Sequence, residues 1–520
     1  MERQIRPWPA FAALIIGFFM IMIDSTIVSV ANPSIMRGLK LGDNYNEVIW
    51  VTSAYLLAYA VPLLVTGRLG DRFGPKNLYM TGLVIFTLAS AWCGFSGTIA
   101  GGGITMLIIA RVVQGLGAAL MSPQTMAVIT RVFPKDKRGT AMGLWGAAAG
   151  VATLVGPILG GLLIGAWGWE WIFFINLPIG VIAFFAALRY VPRLPTHQHQ
   201  FDILGVVLSA LGMFLLVFGI QEGGTYNWGT ITGPISVWGL IIAGIVILVA
   251  FVVWQGLNKK EPLIPLALFR DRNFSVSNAA ITTVSFSVTC MTLPLIFYYQ
   301  TVRGLTPIES ALMFAPTAVF SGVCAPFVGR LADKINPKLL TVPGLFLFGI
   351  GLYLYSLMLT PTVSVWLLLI PAMLLGIAMS AIWGPVATMA THNLPMRQAG
   401  AGSGVYNTTR QVGAVLGSAS IAALIDGRLA ANMPHMSGGH TSEGSAAVLP
   451  AFLQSGFTTA MAQSLLLPAA VAILGAIVVF WWEKPRHLAD ASKGRGASAS
   501  AETPTGAKHV SPGTTAVSTD

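Results

Sequence analysis

Long runs of apolar residues recur along the whole chain and are separated by short polar segments. A helix needs about 20 apolar residues to cross a bilayer, and runs such as 238–253 have no polar face. Fourteen runs are centred near residues 20, 57, 87, 115, 150, 180, 211, 245, 287, 319, 348, 375, 412 and 470. The pattern predicts an all-α integral membrane protein with fourteen spans.

A ten-residue segment occurs twice. Residues 67–76 read GRLGDRFGPK and residues 329–338 read GRLADKINPK, with six of ten positions identical at an offset of 329 − 67 = 262. Hydrophobic repeats joined by short basic loops are typical of secondary transporters. The repeat therefore predicts two six-helix bundles that share one architecture.

The seventh and eighth runs have no counterpart in this repeat and predict two inserted central helices. The expected domains are an N-terminal bundle at 1–194, the inserted helices with a cytoplasmic linker at 195–269, a C-terminal bundle at 270–486 and a disordered cytoplasmic tail at 487–520. The tail is rich in Ala, Ser, Gly, Thr and Pro, a composition that cannot bury a core.

Composition and charge agree with a membrane protein. Hydrophobic residues make up 55% of the chain and charged residues only 9%. Of the 30 lysines and arginines, 24 fall in the termini and loops of one side, four in the loops of the other and two within spans. The excess of basic residues predicts that both termini are cytoplasmic. The net charge of +11 then reflects topology and does not indicate a nucleic-acid partner.

Five motifs, in order, resemble those of the major facilitator superfamily, specifically its 14-span drug:proton antiporters of the EmrB/QacA type. They are IDSTIVSVANP in the first span, GRLGDRFGPK after the second, RVVQGLGAA in the fourth, GVATLVGPILGG in the fifth and WEWIFFINLPIG at the start of the sixth. The sequence departs from the family pattern at Ser29, Asn32, Pro75 and Glu170. The resemblance implies the two-bundle fold of that superfamily and alternating access in a bacterial cytoplasmic (inner) membrane.

Asp24 is the one acidic residue well inside a predicted span. A carboxylate at this depth is costly and marks a functional site by default, although a structural role that caps a neighbouring helix is the alternative. With a rise of about 1.5 Å per residue, Asp24 and Arg111 lie roughly 14 and 10 Å from the outer ends of their predicted spans. We expect Asp24 to carry the coupling proton, with Arg111 and Gln114 tuning the site in a cavity between the bundles. Arg111 as a purely structural clamp is the alternative.

The repeated loops place a carboxylate among basic residues in each half. Such a carboxylate accepts hydrogen bonds from exposed helix ends and from arginine, and the resemblance implies that Asp71 and Asp333 gate the cytoplasmic side, with Arg131 as a partner of Asp71. Ordinary turn charges are the alternative. The predicted gating residues are Gly67, Asp71, Arg72, Asp333 and Arg131.

The fifth span combines small residues with a proline. Small residues allow close helix contact and a proline bends a helix, so this span suits a pivot, or tight packing without motion. The residues of its signature are Gly150, Gly156, Pro157, Gly160 and Gly161.

Aromatic, methionine and amide side chains supply candidates for a substrate cavity, because such surfaces accept varied shapes. Ordinary lipid-facing or core packing is the alternative for the tyrosine, methionine and tryptophan candidates, and bonding between the bundles is the alternative for the asparagine, arginine and glutamine. The candidates are Tyr55, Tyr59, Met379, Trp383, Asn407, Arg410 and Gln411.

These patterns favour proton-coupled efflux of multiple drugs or antibiotics. The expected partners are protons, a lipophilic small molecule and the bilayer, and an envelope partner protein stays open. Export or flipping of an endogenous lipid or secondary metabolite is an alternative, and import is another. No cofactor is expected beyond the proton gradient, because GxxxxGK[ST], HExxH and GxSxG are absent. His435 and His440 make a poor metal site, and no metal is expected.

Overall fold

Apolar helices dominate the computed structural model, which describes residues 6–41, 45–99, 102–134, 137–196, 202–258, 262–395, 398–432 and 449–483. Residues His435 and His440 and the predicted tail lie outside these ranges. The helices in the described residues are α1 (Pro7–Gly38), α2 (Tyr45–Ala60), α3 (Leu63–Phe73), α4 (Pro75–Phe95), α5 (Ile104–Val132), α6 (Arg138–Trp167), α7 (Trp171–Phe174), α8 (Asn176–Tyr190), α9 (Ile203–Gln221), α10 (Val237–Leu257), α11 (Arg272–Phe297), α12 (Pro307–Leu312), α13 (Ala315–Lys334), α14 (Lys338–Met358), α15 (Leu369–Thr391), α16 (Ala399–Asn432), α17 (Ala451–Ser464) and α18 (Leu466–Val479).

Three short elements complete the described chain. A two-stranded antiparallel hairpin, β1 (Thr230–Thr232) with β2 (Ile235–Ser236), joins α9 to α10. A 3₁₀ turn (Leu266–Arg270) precedes α11, and a π-helical turn (Tyr298–Val302) follows it.

The predicted number of spans is confirmed. Within the described ranges, thirteen segments are long and apolar enough to cross a membrane, and the bent pair Trp50–Ala60 and Leu63–Phe73 raises the number to fourteen. That pair meets at 46° beside Pro62. A proline removes a backbone donor and clashes with the preceding turn, which explains why the second span is broken there.

The helices of each half pack mainly among themselves. In the first half, α1 packs on α6 and α8, and α5 packs on α2 and α4. In the second half, α11 packs on α16 and α18, and α15 packs on α13 and α14. The two halves meet where α3 packs on α16 and where α6 packs on α13 and α15. The exact domain boundaries given above stay a prediction.

The helices α9 and α10 pack on each other, and α9 also contacts α2 of the first half and α16 of the second. Hydrogen bonds to Asp202 hold α9 and α10 together at one end. Its carboxylate accepts hydrogen bonds from the Gly205 N–H (2.9 Å), Trp254 Nε1 (2.9 Å) and Gln255 Nε2 (2.8 Å). It thus joins the start of α9 to the end of α10.

We call the end of the molecule that carries the described loop residues 74, 133–134, 137, 335–337, 392–395 and 398 the basic end. The two repeated segments identified in the sequence lie there, at the ends of α3 and α13. The opposite end carries the hairpin and the loops that precede α5 and α12.

Candidate functional site

Asp24 lies in α1 and its side chain has no exposure to solvent. One carboxylate oxygen accepts a hydrogen bond from Arg111 Nη1 at 2.6 Å, and the other accepts from Gln114 Nε2 at 2.9 Å and from Asn176 Nδ2 at 3.1 Å. Asp24 and Arg111, which the sequence placed at a similar depth in the membrane, thus form a direct ion pair. The described structure does not place Asp24 in a cavity between the halves, as the sequence suggested, because all these partners belong to the first half.

Arg111 is fully buried in α5 and uses most of its donors. Its Nη1 also donates to Gln114 Oε1 at 2.7 Å, and its Nε donates to the Val51 carbonyl at 3.0 Å. The guanidinium carbon lies 4.0 Å from the centre of the Tyr55 ring. Its Nη2 has no hydrogen-bond partner among the described residues. Arg111 therefore joins α1, α2 and α5, and the two N–H groups of Nη2 remain available.

Asn176, which was not among the residues predicted from the sequence, belongs to this site. Asn176 is buried in the first turn of α8, and its Nδ2 also lies 3.0 Å from Ser90 Oγ. Ser90 in turn donates to the Phe173 carbonyl at 2.9 Å. A polar amide within an apolar span is costly unless it is bonded, and that cost was the available signal.

A second polar group crosses from the first half to the second. Tyr59 Oη donates to Ser122 Oγ at 3.0 Å, and Ser122 Oγ donates to Asn407 Oδ1 at 3.4 Å. Arg410 Nη2 donates to Tyr59 Oη at 3.3 Å. Tyr55 and Tyr59 stack with ring centres 6.2 Å apart. The stacked tyrosines therefore connect the buried ion pair with Arg410 of α16.

The described hydrogen bonds of this group do not include the other three cavity candidates. Met379 is buried inside the second half, where it lines a small apolar void. Trp383 packs on Gly146 where α15 meets α6. Gln411 follows Arg410 and is mostly buried. Substrate contact by these three residues stays a prediction.

At the basic end, Asp71 of α3 binds the first turn of α16. Its carboxylate accepts hydrogen bonds from the N–H groups of Gly400 (3.0 Å) and Ala401 (2.9 Å). It also forms an ion pair with Arg131 of α5. A carboxylate at a helix N-terminus is favoured by the helix dipole. Asp71 therefore joins the two halves.

Asp333 of α13 makes the equivalent contact in the other direction. It accepts from the N–H groups of Gly139 (2.7 Å) and Thr140 (3.1 Å) in the first turn of α6, and from the Thr140 hydroxyl at 2.8 Å. The offsets 400 − 139 and 401 − 140 are both 261. The repeat noted in the sequence therefore forms two related contacts between the halves.

Gly67 and Arg72 of the predicted gate have different surroundings. A Cβ atom added at Gly67 would lie 2.5 Å from the Gly400 carbonyl oxygen and 2.9 Å from the Gly404 Cα atom. The guanidinium carbon of Arg72 lies 5.2 Å from the centre of the Phe73 ring. The absence of a side chain at Gly67 is thus what allows α3 and α16 to touch.

The glycines of α6 face both halves. Near its start, Gly143 approaches the Ala325 carbonyl of α13, and further along Gly156 and Gly160 approach α1 at Thr26 and Ile27. Of the remaining signature positions, Gly150 is nearest to Ser321 and Gly161 to Ile308, while Pro157 lies within the helix. The α6 helix is thus packed between α1 and α13, as a pivot requires. Motion about it stays a prediction.

Comparison with known proteins decides the family. The sequence profile described as Major Facilitator Superfamily matches residues 14–418. The chain belongs to the major facilitator superfamily. The resemblance to its 14-span EmrB/QacA-type branch is confirmed, and the protein is a transporter in a membrane, with a fold of two six-helix bundles and two inserted helices.

Two curated relatives and one solved structure show the range of similarity. The chain is 50% identical over 479 residues to an uncharacterized MFS-type transporter of Mycobacterium tuberculosis, covering 91% of this chain and 81% of that protein. It is 33% identical to the tetracenomycin C resistance and export protein of Streptomyces glaucescens, covering 82% and 77%. The proton:xylose symporter XylE shares the fold, with a TM-score of 0.61 at 14% identity and coverage of 91% and 95%.

Proposed function

We propose that this transporter exports lipophilic drugs or antibiotics in exchange for protons. The observation that carries the proposal is the fully buried contact of Asp24 with Arg111, Gln114 and Asn176. A carboxylate held this deep in a membrane is costly and is expected to be functional. The relative that is a tetracenomycin C resistance and export protein supports the outward direction.

The site supports reversible proton binding by Asp24. Burial disfavours an ionised carboxylate, whereas a nearby cation and hydrogen-bond donors favour it. Movement of Arg111 away from Asp24 therefore promotes proton binding, and its return promotes proton release. The Nη2 group of Arg111, which has no partner among the described residues, gives that side chain an alternative polar contact to form.

Substrate and proton are coupled indirectly in this proposal. The buried carboxylate lies within the first half, whereas Arg410 belongs to the second. The stacked rings of Tyr55 and Tyr59 lie between them. A substrate that separates Arg410 from Tyr59 shifts the tyrosine pair, and with it Arg111.

The contacts of Asp71 and Asp333 close the basic end. We propose that this end faces the cytoplasm of a bacterial inner membrane, as the distribution of basic residues indicates. The described conformation is then closed to the cytoplasm. Opening requires both carboxylates to leave the helix N-termini that they bind.

A proton gradient is sufficient for such a cycle and no cofactor is required. One charge crossing the membrane provides about 2.3 kcal/mol per 100 mV. A tenfold substrate gradient costs about 1.4 kcal/mol. One proton at that potential therefore supports a gradient of somewhat under two decades.

Accumulation of a fluorescent drug in a bacterial host without its main exporters tests the proposal. Expression of the protein should lower accumulation, and a protonophore should restore it. Equal accumulation with and without the protein would contradict export. An envelope defect that is independent of drugs, in a strain lacking this protein, would instead favour export of an endogenous lipid.

A further inference from the structure

Arg410 is a membrane-embedded cation without a matching anion in the described part of the chain. It lies eleven residues after the first residue of α16, or roughly 16 Å along the helix from the basic end. Its one hydrogen bond to a described residue joins Nη2 to Tyr59 Oη at 3.3 Å. Its buried Nε has no partner among the described residues. Arginine stays charged in proteins, so this site lacks a counter-ion.

The carboxylates of Asp24 and Asp71 already have partners of their own. Asp24 is paired with Arg111, and both side chains have no solvent exposure. Asp71 is paired with Arg131 and with two backbone N–H groups of α16. The described charges deep within the spans, Asp24, Arg111 and Arg410, therefore sum to −1 + 1 + 1 = +1.

The surroundings of Arg410 favour an amphiphilic ligand. The stacked tyrosines 55 and 59 offer aromatic surface beside the guanidinium. Tyr406, one turn before Arg410, is fully buried and its hydroxyl also has no described partner. A planar guanidinium binds a carboxylate or phosphate through two parallel hydrogen bonds. A ligand with one anionic group beside an apolar body fits both features.

We propose that Arg410 is the substrate's counter-ion, and that this transporter prefers amphiphilic substrates that carry a carboxylate or a comparable single anionic group. This inference rests on the proposed export function and specifies its substrate class. A cationic lipophilic drug would find no unpaired carboxylate among the described residues of this site, because Asp24 is bound to Arg111. Substrate binding replaces the weak contact from Arg410 to Tyr59 with a charge-assisted one.

Equilibrium binding of two matched dyes tests this inference. The probes are a rhodamine that bears a free carboxylate and its methyl ester, which differ only in that group. Binding to the purified full-length protein in lipid nanodiscs is followed by fluorescence anisotropy without a proton gradient. The wild-type protein should bind the carboxylate dye about tenfold more tightly than the ester, the scale of a charge-assisted hydrogen bond.

Three variants identify the residue responsible. Arg410→Gln should abolish the preference, whereas Arg410→Lys, which keeps the charge, should retain part of it. Arg428→Gln removes an exposed arginine from the same helix and should bind as the wild type does. An unchanged dye ratio in Arg410→Gln, a wild-type preference for the ester, or binding of neither dye would overturn the inference.

The proposed export function is judged separately by dye efflux in cells with and without a protonophore. Dye binding with the predicted preference but no proton-dependent efflux would contradict the export proposal alone. Proton-dependent efflux of the ester, with no preference for the carboxylate dye in the binding assay, would contradict the inference about Arg410 alone.

Discussion

Asp71 and Asp333 lie 262 residues apart in the sequence and make the same kind of contact. Each accepts hydrogen bonds from two backbone N–H groups in the first turn of a helix that belongs to the other half. The duplicated segment therefore encodes two related contacts at the basic end, and each of them joins one half to the other.

Removing the contact between Asp71 and α16 should open the basic end. In Asp71→Ala, α16 loses two charge-assisted hydrogen bonds, each worth about 1.5–3 kcal/mol, so the closed conformation should become at least tenfold less populated. A cysteine in place of the buried Ser403 should then react faster with a thiol reagent applied from the basic side. Glu309→Ala, which removes an exposed carboxylate at the opposite end, is the control. Equal labelling of this cysteine in the Asp71→Ala and Glu309→Ala proteins would rule out a role for the Asp71 contact in closing the basic end.

A methyl group at Gly67 should prevent closure sterically. In Gly67→Ala the added Cβ would lie 2.5 Å from the Gly400 carbonyl oxygen, so α3 and α16 must separate. We expect loss of transport with normal abundance in the membrane. Gly165→Ala is the matched control, because no atom lies within 4 Å of the corresponding Cβ. Similar efflux by the two variants would show that close contact at Gly67 is unnecessary.

Asn176 should be required for rapid turnover. Asn176→Ala removes the donor that joins the Asp24 carboxylate to Ser90, and proton-driven efflux should slow several-fold while dye binding is unchanged. The control is Asn77→Ala, since Asn77 is an exposed amide whose hydrogen bond within the described residues goes to the Phe73 carbonyl. Efflux at the wild-type rate in Asn176→Ala would exclude it from the proton site.

Asp202 should stabilise the inserted helices over the whole physiological pH range. Partial burial raises the pKa of its carboxyl, but hydrogen bonds from Trp254, Gly205, Gln255 and the Leu263 N–H outweigh burial and lower that pKa below its usual value. A lowered pKa in the folded state means that the stabilisation is present above the unfolded value, about 3.9, and is lost only as the pH falls through the folded value.

Asp202→Asn should therefore lower the thermal unfolding midpoint at pH 7 and leave the pH profile of transport between pH 5 and 8 unchanged. Thermal unfolding of the purified protein and efflux assays at several pH values measure the two effects. A pH profile altered by this variant would indicate that Asp202 takes part in proton transfer.

Much of this arrangement could be predicted from the sequence because the membrane restricts the possibilities. The apolar runs predicted the spans, and helical rise alone placed Asp24 and Arg111 at one depth. The repeat also indicated that Asp71 and Asp333 are equivalent. These predictions depend on the number of residues between two positions, which can be read directly from a sequence.

The remaining features depend on which helix faces which. The sequence did not indicate that Asp71 binds α16 rather than a neighbour in its own half, or that Asp24 faces the interior of the first half. Asn176 was not predicted because a single neutral amide at the start of a span is a weaker sign of a functional site than a charged residue within a span. The connection through Tyr55 and Tyr59 to Arg410 requires three helices to meet, and no spacing within one helix predicts it.

The central claim is that Asp24 carries the coupling proton, and proton flux in proteoliposomes measures it most directly. The liposomes contain the purified protein and a pH-sensitive dye, and a transported rhodamine is added outside. Asp24→Asn preserves the shape of the side chain but leaves the Arg111 charge unpaired, so the double variant with Arg111→Gln controls for the destabilisation of a broken buried pair.

The wild-type protein should move protons when substrate is added. Asp24→Asn and the double variant should still exchange labelled for unlabelled substrate but should move no protons. Substrate-dependent proton flux at the wild-type rate in Asp24→Asn would contradict the account.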